Sequence, residues 1–575
     1  MDLVIERRTL VENGITDASL HPVLRRAYAA RGVRDSAELA LTLDRLMPVS
    51  TLDSVEAAVA LILEHRERRI VVIGDFDADG ATSTALIVRC LRAWGFVSVD
   101  FLVPNRFEFG YGLTPEIVGL AAERAPALII TVDNGISSNA GVAAARERGI
   151  KVLITDHHLP GATLPAADVI VNPNVPGSRF GSRALAGVGV AFYVMAAVRR
   201  ELDQRGVVVM PPVTEFLDLV ALGTVADLVP LDANNRVLVA QGIRRIRAGR
   251  AVAGIRALLA IGQRNVAQLT AADLGFTIGP RLNAAGRLDD MSIGIRCLLA
   301  DSDSEALALA SRLDALNTER REIEAKMQGA ALAAVQSLRE PGGTGPTRHG
   351  VCLFDPDWHQ GVVGLVASRI KDRLRRPVIA FARAGDGALR GSARSVPGIH
   401  IRDVLDAIAA RHPELISRFG GHAMAAGLSL DEEKLDAFAR AFDAEVARWR
   451  DPSIPSNRVE TDGELSSAEI ALETAQALRD GGPWGQAFPE PCFDGRFAIK
   501  NARVIGEKHL KMWVTTHDGA RAFDAIAFNF MAFNFKGADE NPPLPEGDVR
   551  LVYRLDINEY KGERRLQLLV DHVLS

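Results

Sequence analysis

Residues Val71–Leu86 read VVIGDFDADGATSTAL. A β-branched run, Val71–Ile73, passes through Gly74 into carboxylates at alternate positions, Asp75, Asp77 and Asp79, and then into small and apolar residues suited to a helix. Strand, turn and helix in that order mark one unit of a parallel sheet, in which ligands bind beyond the carboxyl ends of the strands. Three like charges brought together without a cation repel one another and oppose folding. A divalent cation removes that cost.

Outward from this stretch the pattern repeats. Between Ile70 and about Asn174, the short runs VVIG, VSVDFLV, ALIITV, KVLIT and VIVN alternate with helical segments such as Ala81–Trp94 and Asn139–Gly149, which predicts a parallel sheet with helices on its faces. Three further segments place an Asp directly after an apolar run: TVDNGI (Asp133), TDHH (Asp156) and GTVADLVPL (Asp227). Taken singly, each reads as an Asx turn or a helix cap. Taken together, carboxylates mixed with imidazole suit Mn²⁺ or Mg²⁺, whereas zinc favours thiolates or more histidine. The number of acids fits two ions, which activate water and stabilise both oxygens of an in-line displacement at phosphorus. His157 and His158 are adjacent and do not reach one metal from a regular strand; His157 is assigned as the ligand and His158 as the group that protonates the leaving oxygen.

Composition sets the frame. A chain of 575 residues exceeds a single core of roughly 250–300 residues. The 48% hydrophobic and 24% charged content is that of a globular protein. No apolar run reaches the ~18 residues of a membrane helix and MDLVIERRTL lacks a signal-peptide core, so a cytoplasmic location is expected. Cys90, Cys297, Cys352 and Cys492 stand singly, as reduced core residues would. A net charge of −5 gives no global basic footprint, but acids that bind cations inflate that figure.

Five regions are expected: a helical lead-in at 1–47, a catalytic α/β domain at 48–270, a helical connector at 271–340, a smaller α/β domain at 341–450 and a β-barrel at 455–575. The connector ends in a stretch from Asp303 with Leu309, Leu313, Leu316, Ile323 and Met327 at helical spacing, on the order of 50 Å long. It would act as a strut between lobes whose cleft admits one flexible strand. PGGTGPTRHG and DPSIPSN are linkers. Past the second, Leu510, Met512 and Val514 alternate with Lys511, Trp513 and Thr515, as half-buried antiparallel strands do, and a five-stranded nucleic-acid-binding barrel is one candidate.

DFDADG, TVDNG, TDHH and VADLVPL, in this order, resemble the motifs of the DHH phosphoesterase superfamily. Over essentially its full length the chain resembles the RecJ single-strand-specific DNA exonucleases, with further support from GPRLNAAGRL, WHQGVVGLVASR, GSARS and the DHHA1-like GGHAMAAG. The resemblance implies metal ligands at Asp77, Asp79, Asp133, His157 and Asp227 with Asp75 beside them, and catalysis by Asp79, Asp133, His157 and His158. Smaller superfamily members carry a His where Val71 or Ile73 stands here, and the extra acid of DFDADG takes its place.

Arg281, Asn283 and Arg287 in GPRLNAAGRL offer fork-shaped groups for phosphate, with a capped turn and solvated arginines as the plainer alternative. By resemblance, Ser392 and Arg394 hold a terminal 5′ phosphate and set polarity. His422 would contact phosphates, and His359 would do the same or orient Gln360. Trp513, Phe528, Phe530, Phe533 and Tyr560 are candidate base-stacking faces or barrel core, and RRIRAGR at Arg244 reads as a solvated helix face. The implied activity is Mn²⁺- or Mg²⁺-dependent 5′→3′ degradation of single-stranded DNA to 5′ mononucleotides in recombination and repair, by a monomer, with a single-strand-binding protein and a RecQ-type helicase as partners. Two other readings compete: a phosphoesterase of short oligonucleotides or cyclic dinucleotides, and a non-catalytic single-strand-binding scaffold.

Overall fold

The computed structural model describes residues 3–11, 15, 17–105, 109, 111–337, 348–384, 387–449, 458–506, 508–530, 544–560 and 562–574. The chain divides into two compact units, Thr9–Asn317 with Glu469–Pro491, and Met1–Arg8 with Thr318–Ala468 and Cys492–Ser575.

The first unit is built on a five-stranded parallel sheet. Its strands, in spatial order, are Ser98–Leu102, Arg69–Ile73, Leu128–Val132, Lys151–Thr155 and Val169–Val171. The central strands are buried on both faces, which is why they read as continuous apolar runs. Val71, Ile73, Ile129, Val152 and Ile154 pack one face against Ile117, Val118, Val142 and Ala145 of the helices Pro115–Ala122 and Asn139–Glu147. Helices Ala78–Ala93 and Gly187–Gln204 pack on the sheet as well, and both contact the helix Leu217–Ala226. The chain leaves Arg69–Ile73 toward one edge and returns to its other side as Leu128–Val132. Strand order therefore reverses between these two strands, and that switch point is where open α/β sheets bind ligands.

The second unit contains a mixed sheet and a barrel. The sheet runs Arg418–Gly421, Ala425–Asp431, Ala388–Arg394, Val378–Arg383, Val351–Phe354. The barrel is closed, in the order Phe493–Ile505, His509–Thr516, Ala522–Ala527, Glu563–Leu574, Gly547–Tyr560. Leu510, Met512 and Val514 are buried and Trp513 is exposed, as the alternation predicts. The stretch from Asp303 forms one helix of 35 residues, Asp303–Ser337. Among the described residues, no single helix is long and apolar enough to cross a membrane. The four cysteines carry no disulfide.

Two boundaries differ from expectation. The lead-in at 1–47 is not helical throughout: Val4–Arg7 is a strand paired in parallel with Arg458–Thr461. Its partner is remote in sequence, so nothing local announces it. Arg7 Nη2 also reaches Asp494 Oδ2 at 2.9 Å. The barrel itself starts at Phe493, and Glu469–Pro491 belongs to the other unit, where Trp484 and Phe488 stack at 5.2 Å and Arg236 lies 4.3 Å over Phe488. Much of PGGTGPTRHG and all of DPSIPSN lie outside the described residues.

Candidate metal centre

The acids gather at the switch point. Asp75–Asp79 follow the strand Arg69–Ile73, Asp133 follows Leu128–Val132, and Asp156–His158 follow Lys151–Thr155. Asn134 joins the first two strands by donating from Nδ2 to Ile73 O (3.1 Å) and Val132 O (2.8 Å). Asp227 arrives from elsewhere, as the C-cap of the helix Leu217–Ala226.

His157 Nε2 stands 3.1 Å from Asp133 Oδ1, 3.4 Å from Asp227 Oδ2 and 4.0 Å from Asp79 Oδ2. Candidate ligand atoms of Asp79, His157 and Asp227 fall within 4.8 Å of one another, as do those of Asp133, His157 and His158, and those of Asp75, Asp77 and Asp133. Asp133 and His157 each contribute to two of these groups. Asp77 caps the helix Ala78–Ala93 through Oδ1, which accepts from Asp79 N (2.9 Å) and Gly80 N (3.0 Å). The helix-cap reading and the ligand reading therefore hold together for this residue.

Asp79 is held by the start of another helix: Oδ2 accepts from Gly187 N at 2.6 Å and Oδ1 from Val188 N at 2.9 Å. The positive end of that helix favours a carboxylate there. Gly187 is required for the approach, since a Cβ on it would lie 2.6 Å from Asp133 Cβ. The segment GVGVAF carried this signal in its small residues, but nothing in the sequence tied it to Asp79.

Asp156 does a different job. Its Oδ2 accepts from Ile136 N (2.9 Å), and its Oδ1 accepts from His157 N (2.7 Å) and lies 2.8 Å from His158 Nδ1. It fixes the loop and orients His158, as a carboxylate behind an imidazole does. Tyr111 adds a second constraint, with its hydroxyl 3.4 Å from His158 Nδ1 and 3.3 Å from Asp133 O. Neither Asp156 in this role nor Tyr111 is signalled by the sequence pattern.

Electrostatics follow from this crowding. Burial, then the Asp77 charge, pushes Asp79 up to about 7. Burial and then the neighbouring acids push Asp133 and Asp227 well above the carboxylate range. Burial opposes the charge on His158, yet the Asp156 carboxylate overrides it and raises the imidazole to about 9. Asp156 stays below its ordinary value despite burial, because the His158 hydrogen bond and charge outweigh it. Asp133 Oδ1 is buried and accepts no hydrogen bond among the described residues. A buried, orphaned oxygen among mutually repelling acids fits a hard divalent cation, and the oxygen-rich donor set with imidazole fits Mn²⁺ or Mg²⁺.

The other expected site residues fall into two groups. In the first unit, Arg281 donates to Asp314 Oδ1 (2.8 Å) and to Thr277 O (2.6 Å), Asn283 Oδ1 accepts from Ala78 N (2.8 Å), and Arg287 is half-buried on the same helix. In the second unit, Ser392 and Arg394 share one face of the strand Ala388–Arg394, with Arg394 Nη1 3.0 Å from Ser392 Oγ. The start of the helix Val363–Leu374 covers them: a Cβ on Gly364 would lie 2.8 Å from Arg394 Nη2 and 2.9 Å from Ser392 Oγ. His359 Nδ1 accepts from Gly361 N (3.1 Å), His422 is exposed, Trp513 and Phe528 are exposed, and Phe530 is half-buried. Phe533 and the side chain of Tyr560 lie outside the described residues. In RRIRAGR, Arg245 pairs with Glu215 at 2.6 Å and Arg247 donates to Leu269 O at 2.8 Å, so these side chains hold the helix in place.

Comparison with known proteins identifies the domains and the family. Family profiles match at residues 69–224 (DHH family, N-terminal domain), 348–448 (DHHA1 domain) and 461–572 (RecJ OB domain). The single-stranded-DNA-specific exonuclease RecJ of Escherichia coli (strain K12) is 52% identical over 99% of this chain and 98% of its own length. The chain belongs to the RecJ family. The RecJ of Haemophilus influenzae is 51% identical over 100% of this chain and 99% of its own. A crystal structure of RecJ from Thermus thermophilus in complex with Mn²⁺ superposes with a TM-score of 0.80 at 31% identity, covering 99% of this chain and 80% of that one. A second RecJ structure from that organism is a complex with Mg²⁺, with a TM-score of 0.75 at 28% identity, covering 99% of this chain and 78% of that one.

Proposed function

We infer that this RecJ-family chain is a metal-dependent exonuclease specific for single-stranded DNA, with Mn²⁺ or Mg²⁺ as cofactor, and that it releases 5′ mononucleotides from the 5′ end. The observation that carries the chemistry is the buried, unsatisfied Asp133 Oδ1 with His157, Asp79 and Asp227 around it. Asp75, Asp77, Asp79, Asp133, His157 and Asp227 would hold two ions, which would supply Lewis-acid activation of water and charge neutralisation at phosphorus. His158, charged at neutral pH through Asp156, delivers a proton to the leaving oxygen.

Polarity comes from Arg394 and Ser392, which offer a guanidinium and a hydroxyl side by side for a terminal 5′ phosphate. Arg281 and Arg287 in the first unit, and His359 and His422 in the second, are assigned as further phosphate contacts. Trp513 and Phe528, both exposed on the barrel, present rings for base stacking. The setting is cytoplasmic recombination and repair, by a monomer working with a single-strand-binding protein and a RecQ-type helicase. The reading is tested by comparing turnover with Mn²⁺ on a long single strand, a duplex of the same sequence and a dinucleotide. Preference for the long strand is expected, and exclusive cleavage of the dinucleotide would overturn it.

A further inference from the structure

The block GPRLNAAGRL lies in a helical segment that touches two of the four acid-bearing segments of the metal centre, DFDADG and VADLVPL. The segment runs from Ala271–Asp273 through a π-helical turn, Leu274–Ile278, into the helix Gly279–Leu288. At its start, Cβ atoms on Gly275 and Gly279 would lie 3.2 Å from Val225 Cγ1 and 3.4 Å from Ala226 Cβ, the two residues before Asp227. At its end, a Cβ on Gly286 would lie 1.8 Å from Phe76 O, between Asp75 and Asp77. Between these contacts, Asn283 Oδ1 accepts the backbone N–H of Ala78 at 2.8 Å. π-Turns of this kind recur at functional sites, where they shift the register of one helical face.

The Ala78 hydrogen bond matters for the acids on either side. The first N–H groups of the helix Ala78–Ala93 have no partner within the helix. Asp77 Oδ1 takes those of Asp79 and Gly80, and Asn283 takes that of Ala78, which is buried. Without Asn283, the buried Ala78 N–H would have to turn toward the nearest carboxylates, drawing on the oxygens a cation needs.

We propose that Asn283 is a positioning residue for the metal centre rather than a phosphate ligand: by accepting the Ala78 N–H it holds the DFDADG turn and leaves the Asp75, Asp77 and Asp79 carboxylates to the cation. This rests on the metal-dependent reading above. Groups that orient metal ligands commonly change metal affinity by 10–100-fold when removed.

The test is Mn²⁺ binding to the full-length, DNA-free protein by isothermal titration calorimetry, beside single-strand binding measured in chelator. Asn283→Ala is expected to weaken Mn²⁺ binding by about tenfold with strand affinity unchanged. Asn283→Asp keeps the acceptor oxygen and is expected to bind Mn²⁺ within about threefold of the native chain, since added negative charge near a cation does not oppose it. Native Mn²⁺ affinity in Asn283→Ala, or weakened strand binding in its place, overturns the proposal. If metal-free melting shows that Asn283→Ala does not fold, Asn283→Asp decides alone: retained Mn²⁺ affinity supports the proposal and a tenfold loss overturns it. Absence of Mn²⁺ binding by the native chain would instead refute the metal-dependent reading.

Discussion

Nε2 of His157 lies 3.1 Å from Oδ1 of Asp133, and that oxygen accepts no hydrogen bond among the described residues. The two residues follow neighbouring parallel strands, Lys151–Thr155 and Leu128–Val132, so the sheet itself sets the pair. A buried carboxylate among like charges destabilises the metal-free chain, and a bound cation relieves that repulsion. Asp133→Asn is therefore expected to abolish cleavage while raising the metal-free melting temperature by about 2–4 °C, the equivalent of roughly 1 kcal/mol. Calorimetry with and without Mn²⁺ checks this, and a variant less stable than the native chain in chelator would contradict it.

Metal affinity should depend on pH with a definite sign. Asp79 is raised to about 7, and Asp133 and Asp227 are raised well above the carboxylate range by burial and the neighbouring acids, so the metal-free native state holds protons that the unfolded chain has released. Their contribution to stability is present at low pH and falls as pH rises from about 4, the ordinary carboxylate value, through 7. Mn²⁺ displaces these protons. Binding should tighten between about pH 5.5 and 7 and release protons, which titration in buffers of different ionisation heat measures.

Asp156 is expected to act on catalysis through His158, whose Nδ1 lies 2.8 Å from its Oδ1. Asp156→Asn removes the charge that keeps His158 near 9, so the high-pH limb of kcat should move toward the ordinary histidine value of about 6.5. The rate near pH 8 should fall by about 30-fold, the loss of protonated imidazole at that pH, with little change in KM for the strand. A pH–rate profile on single-stranded DNA checks both.

Arg394 and Ser392 should set the dependence on the terminal phosphate. Arg394→Ala is expected to raise KM for a 5′-phosphorylated strand by at least about tenfold, the loss of one charge-assisted contact of about 1.5–3 kcal/mol. KM for a 5′-hydroxyl strand should change little. Equal losses on both substrates would contradict the assignment.

On the barrel, Trp513→Ala should weaken strand binding by about 1–3 kcal/mol without altering kcat on saturating DNA. Met512, its buried neighbour on the same strand, packs in the barrel, so Met512→Ala should instead lower barrel stability by about 2–5 kcal/mol. Fluorescence anisotropy in chelator and thermal melting separate the two effects.

Much of the fold was legible because its strands obey simple burial rules. Val71–Ile73 and Ile129–Val132 are covered on both faces and read as unbroken apolar runs, while Leu510–Val514 has one wet face and alternates. The acid cluster was legible as a candidate metal site because Asp75, Asp77 and Asp79 repel one another unless a cation sits among them. What stayed hidden depends on tertiary pairing. Val4–Arg7 finds its partner only at Arg458–Thr461, Arg281 pairs with Asp314 on another helix, and the amide of Asn283 meets Ala78 only when GPRLNAAGRL folds onto the acidic turn. Asp156 looked equivalent to Asp133 in sequence; its hydrogen bonds to Ile136 and His158 separate their roles.

The most direct measurement is digestion of a long single-stranded DNA with Mn²⁺, labelled at one end or the other, alongside the Asp133→Asn variant. Immediate release of the 5′ label as a mononucleotide, with the 3′ label retained until late and no release by the variant, is the predicted result. Earlier loss of the 3′ label, or release by Asp133→Asn at the native rate, would contradict the account.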